Sequence, residues 1–290
     1  MTRPLVGAVE LGGTKINCAI GTGPDDIRAE LVVPTTQPEA TLGAVTAFLQ
    51  AQAGLTAIGI ASFGPVCLDR ASAQWGHIVH TTKPHWSHTP VAPVIAAATG
   101  LPVAFDTDVN GAALGEARWG ALAGCSVGLY LTVGTGVGGG VIIDGKALHG
   151  RTHPEMGHVR IKRAFGDDFP GVCPFHGDCL EGLVSGPAIA GRLGQSLSEV
   201  ARDHPGRAHV IDALGQGLAS LALTLSPHRI VIGGGVAKAP GFHADAMAAM
   251  RDALGGYAEV PDGYVVPPAL GDRAGVVGAM ALALDRLGAE

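Results

Sequence analysis

Cys173, His176 and Cys179 are spaced as Cys-x-x-His-x-x-Cys, and His158 lies upstream of them. Two thiols and two imidazoles within so short a stretch suit tetrahedral Zn²⁺, and a closed set of four protein donors makes a structural rather than a catalytic metal site. The binding free energy of such an ion can order a loop that has little regular structure of its own. His149, His153 and Asp178 are competing ligands in the same region. A second kind of chemistry is offered by Asp106 and Asp108, which follow the apolar run Val103 to Phe105. A carboxylate placed there can take a proton from an attacking hydroxyl, and a helix beginning just after it stabilises the negative charge.

A third kind is offered by glycine. Gly12 and Gly13 sit beside Thr14 and Lys15, and Gly134 and Gly136 sit between Thr132, Thr135 and Gly139. Backbone N–H groups grip phosphate oxygens only where the chain comes close, which a residue without Cβ permits, and neighbouring hydroxyls and a cation add donors. Gly134, Gly136 and Gly139 match Gly-x-Gly-x-x-Gly, but the pattern runs on into Val141, Ile142 and Ile143 instead of opening a helix, and no Walker ending follows. A strand-turn-strand phosphate clasp is the better reading.

The elements that must position these groups alternate between strand and helix. Leu5 to Val9 and Ile16 to Ile20 read as a hairpin, Leu31 to Val33 as a third strand, the segment carrying Leu42, Val45, Phe48 and Leu49 as a helix, and Ala57 to Ala61 as a buried strand. Helix is favoured over Ala112 to Ala117, beginning near Asn110 where Asp106 or Asp108 is a candidate cap. Leu129 to Val133 and Gly140 to Ile143 repeat the opening hairpin, so the chain reads as an internal duplication. A long amphipathic helix carries Val210, Leu214, Leu218, Leu221 and Leu225, then Arg229 to Ile232 forms a strand, and Ala274 to Leu287 closes the chain as a helix. This predicts two related α/β domains with a cleft between them. The boundaries are 1–117, completed by a C-terminal helix over about 274–290, and 118–273, with the irregular metal loop at 150–183.

Bulk properties narrow the function classes. The chain has 290 residues, 47% of them hydrophobic and 15% charged, with 45 glycines and a net charge of -6. That composition buries a sizeable core and excludes disorder. The acidic balance and the absence of a Lys/Arg run argue against nucleic acid or an anionic membrane as partner and favour a small molecule. No targeting segment is read at the N-terminus and no membrane span beyond it, so the expected location is the cytoplasm. Cys18, Cys67 and Cys125 lie among apolar neighbours and read as buried structural thiols.

Three motifs carry a resemblance to a known family. Glu10-Leu-Gly-Gly-Thr-Lys15 resembles the first phosphate motif of the ROK family of bacterial sugar kinases and repressors, Thr132-Val-Gly-Thr-Gly-Val-Gly-Gly139 its second, and Ile232-Gly-Gly-Gly-Val236 its adenosine-side motif. The resemblance implies two ribonuclease-H-like domains of the actin/hexokinase type, ATP with Mg²⁺, structural Zn²⁺, and a homodimer. By carry-over, Glu10, Gly12, Gly13, Thr14, Lys15, Thr132, Gly134, Thr135, Gly136 and Gly233, Gly234, Gly235 and Val236 hold the nucleotide, and Asp108 is the general base with Asp106 in support.

On the sugar side, His153-Pro-Glu155-Met-Gly-His158 and Cys179-Leu-Glu181 resemble the family's sugar motifs. These imply Glu155, His158 and Glu181 as hydroxyl ligands, while His158, Cys173, His176 and Cys179 bind zinc. Ser62-Phe-Gly64-Pro65 and Thr82-Lys-Pro-His-Trp86 resemble stretches of the fructokinase branch near the sugar. Glu10, Thr107 and His176 depart from the commoner glucokinase pattern in the same direction. D-Fructose to fructose 6-phosphate is therefore the leading reaction, with mannose, glucose or an amino sugar as alternatives. A non-catalytic sugar sensor is the alternative of another class, and the DNA-reading module of the family's regulators is not expected ahead of the first strand.

Overall fold

A computed structural model of the chain describes residues 3–288. In chain order the elements are β1 (Val6–Leu11), β2 (Lys15–Gly23), β3 (Asp26–Pro34), α1 (Pro38–Gln50), β4 (Ala57–Ser62), α2 (Val91–Thr99), β5 (Val103–Thr107) and α3 (Asp108–Trp119). They continue as β6 (Val127–Val133), β7 (Val137–Ile143), the two-residue β8 (Lys146–Ala147), α4 (Leu180–Val184), α5 (Gly186–Leu193), α6 (Pro205–Leu225), β9 (Arg229–Gly233), α7 (Phe242–Leu254), the two-residue β10 (Val265–Val266) and α8 (Ala274–Gly288). Two compact units result. The first runs to Ala123, takes in Gly145–His153 and resumes at Asp272, and the second comprises Gly124–Asp144 and Pro154–Gly271. Residues 118–123 and 145–153 thus cluster with the first unit, where the sequence reading had assigned them to the second.

In the first unit the sheet order is β3-β2-β1-β4-β5, with β1 antiparallel to β2 and parallel to β4. The strands alternate side chains between two faces. On one face Val9, Leu11, Ile58, Ile60, Val103 and Phe105 join Leu42, Val45 and Leu49 of α1 and Val91 and Ile95 of α2 in a single apolar cluster. The other face carries small residues such as Ala8, Gly59 and Ala61, and α8 and α3 lie over it. Small residues are needed because the approach is at backbone level. A Cβ at Gly59 would collide with the Ala279 carbonyl oxygen of α8, and one at Gly278 of α8 with the Gly111 carbonyl oxygen of α3.

The second unit repeats this logic. Its strands β10, β9, β6 and β7 lie side by side in that order, with β6 antiparallel to β7 and parallel to β9. Each unit therefore opens on a hairpin, as the internal duplication predicts, and in each the hairpin's first strand also pairs in parallel with a later one. On this sheet's helices, α6 packs against α7, α4 and α5. With 21 residues and a window of mean hydropathy 1.2, α6 is long and apolar enough to cross a membrane by length and composition alone, contrary to the sequence expectation, but half of that window is buried inside the protein.

The close crossing of α8 over the first sheet generates a prediction. Gly278→Ala should lower the unfolding free energy by about 2–3 kcal/mol through overpacking, whereas Gly43→Ala, in α1 with nothing near its added Cβ, should raise it by about 0.5–1 kcal/mol. Thermal unfolding of the two variants compares them, and equal midpoints would contradict the packing.

Candidate active site

The first glycine turn joins β1 to β2. Gly12 N donates to Lys15 O at 3.0 Å, and Thr35 Oγ1, just past β3, donates to Gly12 O at 2.7 Å, bracing the turn from outside. Gly13, Thr14 and Lys15 are exposed. Glu10, at the end of β1, accepts from Asn17 Nδ2 at 2.8 Å. Its carboxylate occupies the space that a side chain at Gly275 would fill, so a glycine on α8 leaves room for it. Burial, the largest influence, raises the Glu10 carboxyl above its ordinary range, against the lowering effects of Asn17 and Lys15.

The second group lies where β5 becomes α3. The helix starts at Asp108, two residues earlier than the sequence suggested, and its cap is Thr107, whose Oγ1 accepts from Asn110 N at 3.1 Å. Asp106 and Asp108 therefore do not serve as the cap. Asp106 is buried, and its Oδ1 accepts from Thr107 N at 2.7 Å and Asn110 Nδ2 at 2.8 Å while its Oδ2 meets His149 Nε2 at 2.9 Å. The hydrogen bond to Asp106 raises the His149 pKa, with burial opposing it. His149, which sequence offered as a metal ligand, is thus spent on Asp106. Asp108 is partly exposed and sits on the first turn of α3, where the helix dipole favours its charge, and its Oδ1 accepts from Val109 N at 2.9 Å.

The second glycine turn, Gly134 to Gly136, joins β6 to β7 and is closed by Gly134 N donating to Gly136 O at 2.9 Å. Pairing of β6 with β9 sets Thr132 opposite Gly233, which brings Gly234 and Gly235 beside the turn. Gly234 has φ of 92°, and a Cβ on it would strike Val133 backbone, so only glycine fits. Val236 opens a short 3-10 turn directly after. The structure adds a neighbour that sequence did not flag: Gly186, at the start of α5, donates its N–H to Gly134 O at 2.7 Å. Its Gly-Pro start carries no periodic signal.

The His/Cys set converges. Ligand atoms of His158, Cys173, His176 and Cys179 all lie within 4.8 Å of one another. His158 Nδ1 stands 3.7 Å from Cys173 Sγ and 3.6 Å from Cys179 Sγ, and His176 Nδ1 stands 3.7 Å from Cys173 Sγ. Tetrahedral bonds of about 2.3 Å to sulfur and about 2.0 Å to nitrogen require sulfur–nitrogen edges of about 3.5 Å, so the donor chemistry and the spacing both fit zinc. Two of the competing ligands have other contacts: Asp178 pairs with Arg160 at 2.5 Å, and the His153 ring faces Gly64.

The loop has a further brace. Arg192 pairs with Asp167 at 2.5 Å and Arg163 with the same carboxylate at 3.3 Å. Burial opposes the Asp167 charge, but the hydrogen bonds from Arg192 and Phe169 N–H and the charges of Arg192 and Arg163 outweigh it and hold the carboxyl at about 2. Glu155 is exposed at the head of the 3-10 turn Met156–His158. Glu181 lies on the first turn of α4, two residues beyond Cys179, and its Oε2 accepts from Val137 N at 3.0 Å.

The weaker sequence signals divide. Gly64 and Pro65 form a cis peptide after β4. Trp86 is a core residue: it is fully buried, donates its indole N–H to Thr36 O at 2.7 Å, and packs edge-on to Phe63. Cys18 is buried, which pushes its thiol up to about 12, but Cys67 and Cys125 are only partly buried, a correction to their reading as core thiols. The metal reading predicts about one zinc per chain by elemental analysis of the purified protein. Cys179→Ser should lose that zinc and lower the thermal midpoint, and a zinc-free wild type with the same midpoint would contradict it.

Comparison with known proteins places the chain in a family. The model of the ROK family matches residues 6–286. Fructokinase of Zymomonas mobilis is 45% identical, with 97% of each chain covered, and fructokinase of Pediococcus pentosaceus is 37% identical over 96% of this chain and 97% of that one. A ROK family glucokinase from Streptomyces griseus, solved in complex with glucose and AMPPNP, superposes with a TM-score of 0.78 at 29% identity, covering 97% of this chain and 99% of that one. The two mixed sheets are thus the ROK hexokinase-like α/β fold, and the chain belongs to the ROK family.

Proposed function

We propose that this ROK-family sugar kinase transfers the γ-phosphoryl group of ATP to a hexose hydroxyl, with D-fructose as the substrate and fructose 6-phosphate as the product. The observation that carries the proposal is Asp108, a partly exposed carboxylate fixed at the start of α3 by a capped strand-to-helix junction. The names of the Zymomonas and Pediococcus relatives support fructose, and the AMPPNP held by the Streptomyces enzyme supports ATP. Glucose is the second reading, favoured by the sugar in that same structure.

In this account the hydroxyl oxygen attacks the γ-phosphorus, its proton passes to the Asp108 carboxylate, the bond from phosphorus to the bridging oxygen breaks, and ADP leaves. The amides of Gly12 and Gly13 with Thr14 and Lys15, and those of Gly134 and Gly136 with Thr132 and Thr135, hold the phosphates. Gly233, Gly234, Gly235 and Val236 hold the adenosine side. Glu10 organises the Mg²⁺-nucleotide, the ion supplying charge neutralisation when bound. Glu155 and Glu181 accept from sugar hydroxyls and His158, whose Nδ1 faces the thiols, donates its Nε2–H to one, while Gly64 and Pro65 are assigned to the sugar by their motif. Asp106 and Thr107 belong to the sugar side as positioning residues, since their polar atoms already hold the turn that carries Asp108. His158, Cys173, His176 and Cys179 hold zinc, which braces the loop bearing Glu155 and Glu181.

ADP release across fructose, mannose, glucose and amino sugars tests the substrate, with the highest kcat/KM expected for fructose. Asp108→Asn should lower kcat by about 10³-fold, within the range for removing a general base, with an unchanged thermal midpoint. Sugar binding without turnover in the wild type, or full activity in the variant, would overturn the proposal.

A further inference from the structure

The second glycine turn is strapped to the segment that the His/Cys cluster closes. Glu181 Oε2 accepts from Val137 N at 3.0 Å and occupies the space that a side chain at position 136 would need, a Cβ there lying 2.8 Å from that oxygen. Gly157 stands against the Val137 carbonyl so closely that no Cβ fits between them, and the Met156 side chain lies against Gly139. Gly186 N donates to Gly134 O at 2.7 Å. Gly157 immediately precedes His158, and Glu181 follows Cys179 by two residues. Two of the four cluster donors thus set the two residues that hold the first residue of β7.

We propose that Glu181 is a positioning residue for the nucleotide side: its carboxylate fixes the β6–β7 turn through Val137 N, so the grip on phosphate depends on a side chain that also serves the sugar. The inference rests on the reading of that turn as a phosphate clasp. A hydrogen bond to an ionised acceptor is stronger than one between neutral groups, and an amide nest grips an anion only while its N–H groups stay aligned. Holding Val137 N holds the exit of the turn.

The test compares Glu181→Ala, Glu181→Gln and Gly134→Ala in the zinc-loaded protein. The readouts are amide hydrogen exchange at Val137 and the Kd for AMPPNP without sugar. Glu181→Ala should speed exchange at Val137 and weaken AMPPNP, each by about tenfold, the scale of one charge-assisted hydrogen bond. Glu181→Gln keeps an amide oxygen that accepts from Val137 N but loses the charge, and should fall between wild type and Glu181→Ala on both readouts. Gly134→Ala places its Cβ 3.8 Å from Gly235 N, its nearest neighbour, so it leaves the protein unstrained but covers the clasp and should also weaken AMPPNP. Unchanged exchange and Kd in Glu181→Ala would overturn the tether, as would Glu181→Gln behaving like Glu181→Ala. If exchange speeds in Glu181→Ala while neither it nor Gly134→Ala changes the Kd, the tether stands but the turn does not hold nucleotide, and the proposal fails at the reading it rests on.

Discussion

A stretch of chain without a helix or strand ladder must find rigidity elsewhere before it can present carboxylates to a small polar ligand, because ordering each backbone residue costs roughly 1–2 kcal/mol. Between β8 and α4 that rigidity comes from the convergence of His158, Cys173, His176 and Cys179, backed by the ion pairs of Asp167 with Arg192 and Arg163. The convergence reaches further than the loop. Through Gly157 and Glu181 it touches Val137, and through Val137 the glycine turn of the second sheet. On the proposed reading, a metal held by these four donors would order the loop that carries both Glu155 and Glu181.

The two units solve one problem twice. An antiparallel hairpin exposes a glycine turn, and a parallel partner strand fixes the strand leading into it: β4 beside β1 in the first unit, β9 beside β6 in the second. What differs is the group beside each turn. In the first it is Glu10, half enclosed against α8 where Gly275 leaves it room, and in the second it is the Gly233–Gly235 bend, where Gly234 must be glycine. A duplicated framework has thus been given an acidic neighbour on one side and a bare backbone on the other, which matches a division between metal-nucleotide and adenosine in the proposed reaction.

Much of this was legible in the sequence, and the exceptions have physical reasons. The hairpins showed because short apolar runs flank glycine pairs, and the Cys-x-x-His-x-x-Cys spacing showed because ligands so close in sequence have few other uses. The helices α2, α5 and α7 did not show, since Ala-rich segments such as Val91 to Thr99 carry no sharp apolar period and α5 begins with Gly-Pro. The Thr107 cap was hidden by two aspartates that are equally good caps on paper. The bond between Asp106 and His149 joins residues more than forty positions apart, a pairing that no local pattern encodes. The same holds for Glu181 and Val137, whose contact exists only once the loop has folded back on β7.

The central claim is phosphoryl transfer to a defined hydroxyl, and the most direct measurement is the identity of the phosphorylated product. With ATP, Mg²⁺ and fructose labelled with carbon-13, the account predicts a single new phosphate ester whose phosphorus couples to C6 of the sugar by NMR. Phosphate appearing only as the free inorganic ion, with the sugar unchanged, would contradict it.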